Sequence, residues 1–287
     1  AIKIVDYFIF VSHYILMKTT CPKVVVFDLD ETLGSFTELG MFWDALQDYF
    51  DGSLTDHDFY KIVDMFPEIL RPNIVTILNY LKREKKKRTC HKVLIYTNNQ
   101  GPKEWGHKIK NYLETRTGTK LFDQVVGAFK CDGKQIEPLR TTHDKTYSDL
   151  IRCCRLPKGT EVCFLDDQEH PNMMKHDMVY YIKIKPYTHD YTYKTMATRF
   201  LDSDFKTLLS EDADEKKEFI QHIISFMDEY DYRVNIKSDI ECQVDKIISK
   251  KIMFHLQEFL TPEVSKSRTH KKRKQRKNKT SKKKTKL

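Results

Sequence analysis

The run Lys23-Val24-Val25-Val26-Phe27, followed at once by Asp28-Leu29-Asp30, constrains this chain more than any other stretch. An unbroken apolar run rich in β-branched residues is the pattern of a parallel strand buried on both faces. Such a strand needs partners of its own kind. Val93–Tyr96, Val162–Leu165 and Val179–Ile184 supply them, with a shorter candidate at Val125–Val126. Helical patterns lie between. Ile74, Ile77, Leu78 and Leu81 recur at helical spacing. Pro102 marks the first position of a helix running to about Glu114, and 145–154 reads as another. Strands alternating with helices predict an α/β fold, a Rossmann-like parallel sheet covered by helices on both faces.

Two regions break the alternation. Residues 35–70 carry Phe36, Phe42, Trp43, Tyr49, Phe50, Phe59, Tyr60 and Phe66, and predict two short helices inserted after the first strand. These aromatics could line a substrate entrance; for most of them a place in the insertion's own small core is the expectation. Further on, Phe219, Ile220, Ile223, Ile224 and Met227 form one amphipathic stripe, and Val244, Ile248, Ile252 and Leu256 a second. Together they predict a helical hairpin ended by Pro262. The expected organisation is an N-terminal extension over 1–22, an α/β unit over 23–205 with its insertion at 35–70, a helical extension over 206–261 and a basic tail over 262–287.

Composition narrows the class. Hydrophobic residues make up 40% of the 287, too many for a disordered chain. The net charge of +9 sits in one place: 13 of the 50 Lys and Arg fall in 266–287, which has no Asp or Glu, so the rest of the chain is mildly acidic. A tail of that charge is expected to bind polyanions such as nucleic acid in a salt-dependent way, and Thr269–Lys277 is similar to a nuclear localisation signal. Seven cysteines without a CxxC pair argue against a disulfide framework or zinc site, and for a reducing intracellular compartment. The apolar stretch 4–16 is too short for a membrane span and interrupted by Asp6. Met17 is the expected natural start, with 1–16 an extension; the rival reading is a weak membrane-surface helix.

The chemistry is expected at the strand ends, because ligands of open α/β sheets bind beyond the carboxyl ends of the strands. Asp28 and Asp30 follow the first strand. One can attack phosphorus while the other handles the leaving-group proton. Thr97-Asn98-Asn99-Gln100-Gly101-Pro102 follows the second, offering a hydroxyl and backbone N–H groups to phosphate oxygens. Asp166-Asp167 closes the strand 162–165, and carboxylates converging on the first pair make a hard-cation site suited to Mg2+. Lys145 opens the helix before that strand, where its ammonium reaches the phosphate; Lys130 and Lys134 are competing candidates for this lysine.

At these positions the chain resembles the haloacid dehalogenase superfamily of phosphohydrolases. Asp28-x-Asp30-x-Thr32 looks like its first motif, Thr97 its second, Lys145 its third and Asp166-Asp167 its fourth. Asp-Leu-Asp-Glu-Thr-Leu and Leu70-Arg71-Pro72 are similar to the phosphatases of the RNA polymerase II C-terminal domain, the NLI-interacting-factor-like group. That group carries Thr-Ala-Ser in its second motif and Asp-Asn in its fourth. Thr97-Asn98-Asn99-Gln100 is instead closer to small-molecule phosphatases and to the 3′-phosphatase half of polynucleotide kinase-phosphatases. The resemblance implies a Mg2+-dependent phosphomonoester hydrolase. Asp28 is its nucleophile and forms an aspartyl-phosphate, and Asp30 is its acid and base. Thr97, the Asn98 amide and Lys145 hold phosphate oxygens, while Asp28, the Asp30 carbonyl, Asp166 and Asp167 hold the metal. A phosphorylated Ser or Thr in a protein is the first substrate class, a nucleic-acid 3′-phosphate gripped by the tail the alternative, and a catalytically weak binding scaffold the reading from another class.

Overall fold

The computed structural model describes residues 9–11, 21–210 and 212–261. The Val-rich run is the middle of its sheet. The strands are β1 (Ile9–Val11), β2 (Lys23–Phe27), β3 (Lys92–Tyr96), β4 (Gln124–Val126), β7 (Glu161–Asp166) and β8 (Val179–Ile184), in the spatial order β1-β8-β7-β2-β3-β4. A separate ribbon pairs β5 (Lys130–Cys131) with β6 (Lys134–Gln135). The strands from β8 to β4 are all parallel, whereas β1 runs antiparallel to β8. The expected α/β sheet is therefore present, and it gains an edge strand from the segment before residue 23 that the sequence reading left outside the unit. The rest of 1–20 and the basic tail lie outside the described residues.

Alternation along each strand sends side chains to opposite faces. Val25, Phe27, Val93, Ile95, Cys163 and Leu165 enter one apolar core; Val24, Val26, Leu94, Tyr96, Val162 and Phe164 enter the other. The first core is roofed by α1 (Thr37–Tyr49), α2 (Asp56–Asp64), α3 (Ile74–Lys86) and α4 (Lys103–Thr117), and the second by α5 (Tyr147–Cys153) and α6 (Pro171–Met174). That division follows from the topology. Chain leaving β2 crosses to β3 and then β4 on one side, while β7 and β8 are laid down on the other. With crossovers of one hand, reversing the direction reverses the face on which the helices land.

Local signals set the helix starts. Thr55 and Asp58 form a reciprocal cap for α2, and the Thr146 hydroxyl accepts the Asp149 N–H at 3.1 Å to begin α5. Lys145 therefore sits one residue ahead of the cap rather than inside the helix. Pro102 likewise caps α4 instead of opening it, and α4 runs past Glu114 to Thr117, where left-handed Gly118 stops it.

The insertion holds α1 and α2 as expected, and Phe36, Phe42, Phe59 and Phe66 are buried in the main core. The C-terminal part differs from expectation. α7 (Tyr193–Leu201) leads to α8 (Ala213–Asp228), which packs on α1 and α7, whereas α9 (Asp239–Leu260) packs on β8 and α3. The two long helices do not pair as a hairpin. Each amphipathic stripe buries itself separately, Phe219, Ile223 and Met227 in one place and Ile248, Ile252 and Leu256 in another, within the same continuous core as the sheet. Among the described residues no helix is long and apolar enough to cross a membrane.

Candidate active site at the carboxyl ends of the central strands

The crossover direction reverses between β2 and β7, and the sequence places carboxylates on both sides of that seam. Phe27 pairs with Leu165, so Asp28 and Asp166 meet across the next rung, and the Asp28 N–H donates to the Leu165 carbonyl at 2.9 Å. Asp28, Asp166 and Asp167 each bring a carboxylate oxygen within 4.8 Å of the others, and all three are buried. Lys145, 2% exposed, donates to Asp166 Oδ2 at 2.8 Å and to Asp28 Oδ1. Of the three candidate lysines it is the one against the acids: Lys130 and Lys134 belong to the β5–β6 ribbon, and Lys134 is exposed.

One ammonium against three carboxylates leaves this pocket short of positive charge. Burial lifts the Asp28 carboxyl well above the ordinary range, against the pull of Lys145 and with Asp166 adding to the rise. Burial would raise Asp166 too, but Lys145 and His170 outweigh it and hold that carboxyl down. Burial opposes the Lys145 charge, and Asp28 and Asp166 overcome it, so the ammonium is held above its usual value. Burial and Asp166 raise Asp167. An all-oxygen set of buried acids in excess of its cation fits a hard divalent ion.

The turn after β2 is built to aim Asp30. Glu31 adopts a left-handed φ of 56°, and its N–H closes on the Gly34 carbonyl at 2.7 Å. Only glycine fits at 34, where a Cβ would lie 2.6 Å from the Phe36 ring and 2.7 Å from the Ile69 carbonyl oxygen. The Thr32 hydroxyl donates to Asp167 Oδ1 at 3.3 Å, tying this turn to the end of β7. Asp30 accepts the Asn99 side-chain amide at 2.8 Å, and burial raises its carboxyl despite that bond.

After β3, Thr97 is buried and its hydroxyl accepts the Asn99 N–H at 2.9 Å. Asn98 departs from the reading of its amide as a phosphate ligand, as far as its side chain is concerned. That group donates to the His143 carbonyl at 3.1 Å and accepts from Arg140 at 2.8 Å, so it is spent on holding two loops together. Asn99, one residue on, is the amide that reaches the acid.

Three further residues escaped the sequence reading of the site. Arg140, 1% exposed, donates to the Thr97 and Gly127 carbonyls at 3.1 and 2.8 Å and to the His143 carbonyl at 3.0 Å. Arg71, equally buried, donates to the Thr32 and Lys185 carbonyls at 2.6 and 3.0 Å. His170 sits with Nδ1 2.7 Å from Asp144 and Nε2 3.4 Å from Asp166 Oδ2. Arg71 stood in the quoted Leu70-Arg71-Pro72 string, and Asn99 beside Thr97. No spacing marks Arg140 or His170.

Comparison of the chain with family models, with curated proteins and with solved structures finds no match.

Proposed function

We propose that this chain is a Mg2+-dependent phosphomonoester hydrolase of the haloacid dehalogenase type, acting through an aspartyl-phosphate. One observation carries the reading: Asp28 and Asp166, on adjacent strand ends at the reversal of the sheet, share Lys145, with Asp167 in the same cluster and Asp30 two residues on. A strand-end site that gathers acids with displaced pKa values around one lysine is the arrangement that acid–base and nucleophilic chemistry needs.

Each side chain has a role its position supports. An Asp28 oxygen attacks phosphorus in line, forming the O–P bond as the bond from phosphorus to the leaving oxygen breaks. Asp30, whose carboxyl burial raises, is the acid that passes a proton to the departing alkoxide. Left ionised, it takes a proton from the water that cleaves the aspartyl-phosphate, which releases inorganic phosphate and restores both acids. The Lys145 ammonium, already against the nucleophile, neutralises equatorial oxygens, and the buried Thr97 hydroxyl supplies a further donor. Asn99 orients Asp30, while Arg140 and Arg71 hold the backbone of the loops that carry Thr97 and Thr32. Asp28, Asp166, Asp167 and the Asp30 carbonyl would hold the Mg2+, which when bound offsets the repulsion between a carboxylate nucleophile and a phosphate dianion. A pure binding scaffold gains nothing from buried acids left in excess, since they cost stability.

Hydrolysis of an aryl phosphate, assayed with Mg2+ and with EDTA, tests the proposal. Turnover that needs the cation and disappears in Asp28→Asn is expected. Absence of turnover by the intact chain with Mg2+ overturns it.

A further inference from the structure

Beside the acids lies a cleft of about 450 Å³ lined by Asp30 but by none of Asp28, Lys145, Asp166 and Asp167. Asp30 is among the residues that line it. Trp43, Trp105, Tyr230 and Tyr232 line it, and Asp44 and Glu104 stand exposed on its rim. These aromatics come from three separate parts of the chain: α1, α4 and the connection between α8 and α9. Trp43 is fixed from behind by an edge-to-face contact with Phe59 at 5.1 Å, and Trp105 by one with the same ring at 5.5 Å. Tyr232 is tied back by its hydroxyl to Asp190 at 3.1 Å, and Tyr230 to Asp44 at 3.2 Å. Lys108, also in the wall, has its charge engaged by Asp56. The cleft is therefore walled by aromatic side chains and net negative. A second cleft beyond the 99–102 turn, of about 440 Å³, includes neither Asp30 nor a tryptophan.

We infer that this cleft receives the leaving group, and that the substrate is a phosphomonoester whose alcohol carries an aromatic ring and no second negative charge. The inference rests on the hydrolase reading above and deepens it. Asp30 is the group that must reach the leaving oxygen, so whatever that oxygen carries enters the cleft that Asp30 lines. Aromatic walls favour a ring offset-stacked or edge-on to them. Asp44 and Glu104 repel a further phosphate or carboxylate. The balance of the step is unchanged: the ring-bearing alkoxide leaves as phosphorus bonds to Asp28, and it departs as the alcohol with the proton of Asp30. An oligonucleotide 3′-phosphate, whose leaving sugar brings the next phosphate with it, is the macromolecular substrate that the rim opposes.

The chain has two tryptophans and both line this cleft, so occupancy reads out directly in intrinsic fluorescence, without turnover. Benzylphosphonate, titrated into the full chain with Mg2+, is expected to bind at least about 10-fold more tightly than methylphosphonate. In the kinetic arm, 2-phenylethyl phosphate and ethyl phosphate share a primary alkoxide and differ only in the ring. The first is expected to have a kcat/KM at least about 30-fold higher, and a carboxylate added to its ring is expected to remove about 10-fold. Trp105→Ala lowers both ring preferences, and Trp105→Phe restores most of them. Asp44→Asn narrows the penalty for the added carboxylate. Equal affinity for the two phosphonates, or equal kcat/KM for the two esters, overturns the inference and leaves the hydrolase reading standing. Ring-dependent binding with no turnover of either ester or of an aryl phosphate does the reverse: it upholds the ring site and removes the hydrolase reading.

Discussion

Lys145→Met in the cation-free protein is the sharpest test of the site's charge balance. Lys145 Nζ stands 2.8 Å from Asp166 Oδ2 and also donates to Asp28, and all three groups are nearly inaccessible to water. A unit pair at 2.8 Å attracts by about 6 kcal/mol at an effective dielectric of about 20. Desolvating the partners takes back most of that attraction, but removing the cation alone leaves the acids desolvated and unpaired. The expected loss is then about 3–5 kcal/mol, a large part of the roughly 5–15 kcal/mol that holds a domain together. The second arm is Lys145→Met with Asp28→Asn. Deleting one of the stranded acids returns a good part of the loss, so the two substitutions are strongly non-additive. Urea unfolding in EDTA, on wild type, both single variants and the pair, supplies the cycle. A loss below about 1 kcal/mol for Lys145→Met, or strict additivity in the pair, would refute the claim that Lys145 is what partly compensates the buried acids.

The remaining expectations are shorter. A divalent cation that binds only the folded chain stabilises it by about 2.7 kcal/mol at 100 times its dissociation constant; Mg2+ is expected to raise the melting temperature of wild type and to lose that effect in Asp166→Asn. Asp28→Asn is expected to abolish aryl-phosphate turnover while leaving the cation-free protein at least as stable as wild type, since it removes one excess negative charge. Glu38 is buried, with one carboxylate oxygen unpartnered and the other accepting the Tyr191 N–H at 2.8 Å, and burial pushes its carboxyl up to about 8. A carboxyl raised on folding contributes stability that is intact below about pH 4.5 and lost as pH climbs through about 8, so wild type weakens across that window. Glu38→Gln lacks that slope, and urea midpoints at pH 5 and pH 9 check it: a wild-type-minus-variant difference that stays flat with pH contradicts the assignment.

What the sequence disclosed depended on whether a residue's role was set by its own strand or by a distant partner. Buried parallel strands need unbroken apolar runs, so β2, β3, β7 and β8 stood out, and acids directly after such runs had to lie at the carboxyl edge of the sheet. Asp28, Asp30, Thr97 and Asp166 were legible for that reason alone. The amphipathic stripes of α8 and α9 announced which face was apolar but not what it would cover, and two neighbouring helices read as a hairpin although they pack on different elements. In the loop after β3 no periodicity operates. Which of Asn98 and Asn99 faces the acids is decided by Arg140, 42 residues away from Asn98 along the chain.

The two buried arginines explain why the acid cluster is left with one cation. Arg71 and Arg140 are as deeply buried as Lys145, yet the bonds that fix their guanidinium groups run mainly to carbonyl oxygens: Thr32, Glu31 and Lys185 for the first, Thr97, Gly127 and His143 for the second. A planar fork of donors is well matched to collecting several carbonyls from different loops, and a lysine is not. The two guanidinium groups thereby fix the loops after β2 and β3 without a hydrogen bond to the carboxylates of Asp28, Asp166 or Asp167. Had both arginines been turned onto those acids, three cations would face three carboxylates, and the cluster would gain little from a further cation. Because the rigidity of the loops and the charge of the acids are supplied by different side chains, the pocket is ordered and still electrically incomplete, which is the condition that the proposed entry of a dianionic phosphate with its counter-ion requires.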